Sequence, residues 1–239
     1  MDTILVNDQA PGEHRNLVQR FHDDVYRQAF PNIQQAEGPD TWLPLLTDPG
    51  AGRPRVYIAL SRAGSGAILG GVVFERYAAS ECWLVTYIAV HPAARGKGVA
   101  RGLMDLVYNV RSSHGGADSP MFAETESPFR IADADIRADA VRRLSILHRL
   151  DFRCVPVSYV QPALAPDKQE VEDLILLLHG ECAVPADKVD RFLTEFYTAR
   201  GQQGSPSLQR ARAQLGAIGL LQTQPLMAWY TRLVREMGD

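Results

Sequence analysis

The sequence predicts an α/β chain in which helices alternate with strands around an antiparallel meander and a small helical appendage follows. Three observations carry this. Cys82 to Val90 is an unbroken run rich in Val, Ile, Thr, Tyr and Trp, closed by His91-Pro92, which is a strand signature. That run leads through Arg95-Gly96-Lys97-Gly98-Val99-Ala100 into a segment whose apolar residues Val99, Leu103, Leu106, Val107 and Val110 recur at intervals of three and four. After Gly180, three further segments carry helical periodicity between turn-forming stretches.

In chain order, Asn16 to Phe30 has helical spacing at Leu17, Val18, Phe21, Val25, Tyr26 and Phe30, and stops at Pro31. Asp40 to Leu46 is a short second helix. Arg55 to Ser61 and Ala67 to Tyr77 are strands joined by Arg62-Ala63-Gly64-Ser65-Gly66, and Ala78-Ala79-Ser80 turns into the Cys82 strand, completing the meander. Pro120 to Glu126 is a further strand. Asp139 to Leu150 is a helix with Val141, Leu144, Leu147 and His148 on one face, and Val171 to His179 is an apolar strand. Val189 to Ala199, Leu208 to Leu221 and Leu226 to Met237 are the helices of the appendage, whose role is either packing and dimerisation or a wall over a substrate site.

Composition narrows the class. The 239 residues, 46% hydrophobic and 22% charged, suffice for one ample core with an appendage. A net charge of -3 carries no polyanion footprint, so nucleic acid is not expected as a partner. No apolar run approaches the ~20 residues of a membrane span, and Met1-Asp2-Thr3-Ile4 lacks a basic-then-apolar leader, so a cytoplasmic protein is expected. Cys82, Cys154 and Cys182 are odd in number and widely spaced, which suits reduced thiols. The histidines are scattered without ligand spacing, and no metal is expected.

The turn after the Cys82 strand has the makings of a phosphate cradle. A helix start bearing two glycines exposes unpaired backbone N–H groups and the positive end of the helix dipole, without Cβ atoms in the way. Arg95 and Lys97 add positive charge there.

The run Val90-His91-Pro92-x-x-Arg95-Gly96-x-Gly98-Val99-Ala100 resembles the acyl-CoA pyrophosphate loop of the GCN5-related N-acetyltransferase (GNAT) superfamily, R/Q-x-x-G-x-G/A after a long strand. The resemblance implies that family's fold, a mixed and mostly antiparallel sheet flanked by helices, over about Asn16 to Gly180. It divides the chain into a GNAT acetyltransferase domain at 1–180 and a helical C-terminal extension at 181–239. It also implies acetyl-CoA or another acyl-CoA as co-substrate, with Arg95, Gly96, Lys97, Gly98, Val99 and Ala100 on its phosphates. Ile88 and Ala89 would lie beside the pantetheine, and the backbone N–H of Val90 would serve the oxyanion.

The chemistry so implied is direct transfer, in which an amine attacks the thioester carbonyl and CoA leaves as a thiol. It needs a base for the ammonium, a donor for the oxyanion and an acid near the sulfur. Alternation places Glu124 and Glu126 on one face of their strand, where the family often has a catalytic or substrate-binding carboxylate, and Glu75 is a third candidate. For the acid, the family pattern Leu-Tyr-x-x-Leu-Gly-Phe is met by Ile146-Leu147-His148-Arg149-Leu150-Asp151-Phe152, with Leu147 where the tyrosine stands and Asp151 where the glycine stands. Tyr159, His148 or Ser145 could substitute, or CoA could leave without a protein acid. The expected activity is transfer of an acetyl group to the primary amine of a small or amino-acid-like acceptor. A protein lysine or N-terminal amine is the second enzyme reading. A non-catalytic CoA-binding sensor is the reading from another class, prompted by the missing tyrosine.

Overall fold

The computed structural model describes residues 1–32, 36–114 and 119–238. Its contacts divide into two compact units, Met1–Ser119 and Pro120–Asp239.

In the first unit, strands β2 (Arg55–Arg62), β3 (Ile68–Tyr77) and β4 (Cys82–Val90) form the expected antiparallel meander. A short strand, β1 (Asp2–Leu5), adds to its edge with Asp2 opposite Arg62. The helix expected from Asn16 begins earlier, at Pro11. It runs as α1 (Pro11–Phe21), through a π-helical turn over His22–Tyr26, into α2 (Arg27–Ala29). Pro11 suits a first helical position, where its missing N–H would have no partner. Most of the opening turn is exposed, so apolar spacing does not reveal it. α3 (Pro39–Thr47) follows the expected short helix closely.

Helix α4 (Val99–Ser113) buries Val99, Leu103, Met104, Val107 and Val110. Two adjacent glycines in β3 let helices approach the sheet. A Cβ on Gly70 would lie 2.7 Å from the Ala89 carbonyl oxygen and 3.0 Å from a Val99 methyl, whereas one on Gly71 would lie 2.7 Å from the Phe21 ring. Successive strand residues face opposite sides, so Gly70 admits α4 and Gly71 admits α1. In β4, Thr86 is an extra residue between the pairs Val73–Tyr87 and Phe74–Val85, a bulge that turns the strand just before Ile88–Val90.

In the second unit, β5 (Met121–Glu126) pairs with β7 (Leu174–His179), β7 with β6 (Phe152–Cys154), and β6 with β10 (Gln224–Pro225), all antiparallel. Helix α5 (Ala134–Arg149) starts five residues before the expected Asp139. Asp133 caps it, accepting from the backbone N–H groups of Asp135 at 2.9 Å and Ile136 at 3.0 Å. Leu144 and Leu147 are buried as expected, but His148 is exposed. Asp151 adopts the left-handed conformation, φ 63°, at the position where the family pattern has glycine.

The segment beyond Gly180 is woven into this unit. It supplies α6 (Ala186–Ala199), α7 (Pro206–Gly216), α8 (Leu226–Gly238), the edge strand β10, and a two-stranded ribbon of β8 (Ala183–Pro185) with β9 (Leu220–Gln222). The helix expected over Leu208 to Leu221 therefore stops at Gly216, and its last residues form β9. Phe192 of α6 stacks on Phe122 of β5 with ring centroids 4.5 Å apart, so the extension contributes to the core of the sheet.

Candidate acyl-donor turn and carboxylate cluster

The first unit holds the turn. β4 ends at Val90, and His91 accepts a hydrogen bond from the Ala93 N–H at 3.2 Å, capping the tight turn Pro92–Ala94. The Arg95 side chain folds back, its Nε donating to the Val90 carbonyl oxygen at 3.4 Å. Gly96 (φ 75°) and Gly98 (φ 79°) are both left-handed, a conformation that costs an L-residue roughly 1–2 kcal/mol. Both precede the helix, where the sequence suggested its first turn, and Gly98 is the cap residue of α4. It has no side chain to offer the first N–H groups of α4, which point out of the helix end with the positive end of its dipole.

A Cβ built at Gly96 or Gly98 meets nothing within 4 Å, so a bulky anion has open access to the backbone. Arg95, Gly96, Lys97 and Gly98 are exposed, Val99 is buried beneath them and Ala100 is half-buried. Ala89 is buried, while Ile88 and Val90 are half-buried. The turn fits the pyrophosphate of an acyl-CoA in charge, backbone donors and space. Glu75 also lies in this unit, 1% exposed in the interior of β3, accepting a hydrogen bond from the Tyr77 hydroxyl.

The second unit holds the carboxylates. Glu124 and Glu126 share a face of β5, both half-buried, with different partners. Glu126 is ion-paired with Arg143 of α5. Glu124 accepts from the Tyr159 hydroxyl and, at 3.0 Å, from Gln161 Nε2. The structure thus brings Tyr159 to Glu124, and it gives Glu126 a cation instead. Of the other acid candidates, Ser145 accepts from Arg149 at 2.9 Å.

Tyr159 and Gln161 lie in the irregular connection between β6 and β7, and the C-terminal extension grips that connection repeatedly, at Glu170 through Ser205 and Ser207 and at the following backbone groups. Tyr197 of α6 donates to the Val160 carbonyl at 2.6 Å. The Gln202 amide clasps Ala163 at both backbone groups, at 3.1 and 2.7 Å. The Gln214 amide accepts from the Ser158 N–H at 2.9 Å and donates to the Pro156 carbonyl at 3.4 Å. Burial raises the pKa of the Tyr197 phenol, with Glu170 and Glu124 adding to the effect, so it stays a donor. None of these backbone contacts has a sequence signal, because each joins single residues across 37 to 58 positions.

A strand, a turn with two left-handed glycines and a helix start with free N–H groups in an α/β unit are the features of an anion-binding turn. Residues 20–133, just under half of the chain, match the model of the acetyltransferase (GNAT) family, and that segment is similar to GNAT acetyltransferases. One solved structure supports the fold, and two further ones are similar over shorter or looser superpositions. A putative GNAT-family acetyltransferase from Bacteroides thetaiotaomicron is 15% identical, with a TM-score of 0.57 over 85% of this chain and 99% of that one. Tetrahymena GCN5 is 12% identical, with a TM-score of 0.46 over 76% of this chain and 98% of that one. The ribosomal-protein-S18-alanine N-acetyltransferase of Escherichia coli is 12% identical, with a TM-score of 0.44 over 74% and 93%. No curated protein matches the sequence. Among the described residues, no helix is long and apolar enough to cross a membrane, and no group of three metal-ligating side chains occurs.

Proposed function

We propose that the protein transfers an acetyl group from acetyl-CoA to the primary amine of a small or amino-acid-like acceptor, in the cytoplasm and without a metal. Residues 1–180 would form the acyltransferase domain and 181–239 an extension of it. The observation that carries the reading is the turn from Val90 to Ala100, with two left-handed glycines, an open approach and a helix start uncapped by Gly98. In this reading Arg95, Lys97 and the backbone N–H groups of Gly96, Gly98, Val99 and Ala100 hold the phosphates. Ile88 and Ala89 flank the pantetheine, and the Val90 N–H polarises the acyl oxygen. Acetyl-CoA supplies an acyl group activated as a thioester.

On the acceptor side, Glu124 takes the proton that an ammonium must lose before its nitrogen can attack. Tyr159 orients that carboxylate through its hydroxyl, as a positioning residue. Glu126 is ion-paired with Arg143, and Glu75 is buried in the interior of β3, so neither is assigned the proton.

The test is calorimetric titration with acetyl-CoA, then thiol release on a panel of primary amines. Saturable binding and turnover are expected, with Glu124→Gln lowering kcat by about 10²–10⁴-fold at unchanged acetyl-CoA affinity. Absence of acetyl-CoA binding, or a Glu124→Gln enzyme with undiminished kcat, overturns the proposal.

A further inference from the structure

One buried acceptor in the second unit lacks a donor. Gln161 is 5% exposed, and its Oε1 has no hydrogen-bond partner among the described residues, although its Nε2 donates to Glu124 at 3.0 Å. Flipping the amide would not repair this, because it would set the amide oxygen against a carboxylate oxygen. Nor is the residue loosely placed. Its backbone pairs with Val171 in both directions, at 2.9 and 3.0 Å, and the neighbouring Val160 carbonyl is held by Tyr197. A buried acceptor kept rigidly beside a carboxylate and left without a donor is an unfavourable arrangement for a free protein. It becomes favourable when a ligand brings an N–H.

We infer that Gln161 is a specificity-determining residue, whose Oε1, together with Glu124, seats the acceptor nitrogen and selects amines over alcohols. The inference rests on Glu124 being the proton acceptor proposed above. The selection follows from counting protons. A bound primary ammonium has three N–H donors, one for Glu124 and one for Gln161 Oε1. When Glu124 takes its proton, the neutral amine keeps two N–H groups and its lone pair, so the bond to Gln161 survives while the nitrogen attacks. A hydroxyl has one proton. Once Glu124 takes it, the resulting oxygen has nothing to donate, and two lone-pair-bearing oxygens face each other. The seat therefore supports an attacking nitrogen and repels an attacking oxygen at the moment of reaction. It also favours primary amines and tolerates secondary ones, which still keep one N–H after deprotonation.

The experiment uses the full chain with acetyl-CoA, the best primary amine from a panel of monoamines, diamines, amino acids and aminosugars, and the hydroxy analogue of that amine. Gln161→Met keeps length and shape but removes the acceptor, together with the Nε2 donor to Glu124 that Gln161→Glu also lacks. It should raise the amine KM by about 10-fold, leave acetyl-CoA affinity unchanged and narrow the amine-over-alcohol preference by a similar factor. Gln161→Glu keeps an oxygen for the ammonium and should hold the amine KM within about threefold of wild type, even though it places a second carboxylate beside Glu124. A residue that only braced Glu124 would behave oppositely, losing kcat in both variants and most in Gln161→Glu. That pattern overturns the inference, as does a folded Gln161→Met enzyme whose amine KM and alcohol discrimination match wild type. If the wild type binds acetyl-CoA but acetylates no amine in the panel, the acyltransferase reading itself falls and takes the seat with it. Turnover by wild type with indifference at Gln161 removes the seat alone.

Discussion

Replacing Gly98 separates the two properties that the turn requires of this residue. Its φ of 79° and ψ of 4° lie in the left-handed region, and a Cβ there meets no atom within 4 Å. Gly98→Ala should therefore incur conformational strain without a steric clash, about 1–2 kcal/mol. In a chain of this size that lowers Tm by about 2–8 °C. In the proposed site the methyl would stand where a phosphate approaches the backbone, and losing one charge-assisted N–H contact, about 1.5–3 kcal/mol, would weaken acetyl-CoA binding by about 10–100-fold. Gly98→Glu adds a like charge in the same place and should remove measurable binding at a similar Tm. The control is Gly66→Glu, in the β2–β3 turn, where φ is 84° and the Cβ site is equally open. It should lower Tm comparably and leave binding alone. Calorimetric titration beside thermal melts reads both quantities. A folded Gly98→Glu protein with wild-type affinity would refute the cradle, because no phosphate could then be resting on that backbone.

Two further outcomes follow from buried groups. Burial pushes the Cys154 thiol up to about 12 from its ordinary 9.0, so the folded chain keeps a proton that the unfolded chain releases. This group leaves stability unchanged below pH 9 and lowers it as pH rises from 9 towards 12, by about 1.4 kcal/mol per pH unit. Urea midpoints at pH 8, 9.5 and 11 should fall more steeply for wild type than for Cys154→Ala, and equal slopes would contradict the assignment. Tyr197→Phe leaves the Val160 carbonyl without its 2.6 Å donor. It should cost about 1–3 kcal/mol in a denaturant melt and raise the amine KM while sparing acetyl-CoA affinity. Unchanged amine KM in a destabilised variant would detach the extension from the acceptor side.

The sequence revealed what repeats and missed what occurs once. The meander was legible because its strands are long unbroken runs of β-forming residues bounded by turns, and α4 because its apolar residues recur at three and four. β1 is only four residues at an edge, and the opening turns of α1 and α5 are mostly exposed, so apolar periodicity starts late in both helices. Alternation put Glu124 and Glu126 on one face, but it could not divide them. That division is made by Arg143 from α5 and by Tyr159 and Gln161 from a connection without regular structure. The extension was legible as helices and illegible as a clamp, because Tyr197, Gln202 and Gln214 act through single hydrogen bonds to backbone far upstream.

Two kinds of glycine build the turn, and they answer opposite demands. Gly96 and Gly98 stand in open space and are needed for their backbone angles. Gly70 has no unusual angle and is needed for its missing Cβ, which would strike the Ala89 carbonyl and the Val99 methyl. The two requirements are linked through Val99. Because Gly70 lets Val99 seat on the sheet beside the end of β4, the first turn of α4 is anchored by a buried side chain immediately after the left-handed Gly98. A helix start recognises phosphate by the direction of its N–H groups, so in the proposed cradle affinity would depend on that anchor as well as on the exposed glycines. A cradle whose first helical residue floated would pay the ordering entropy on binding; here the strand glycine has settled it in the fold.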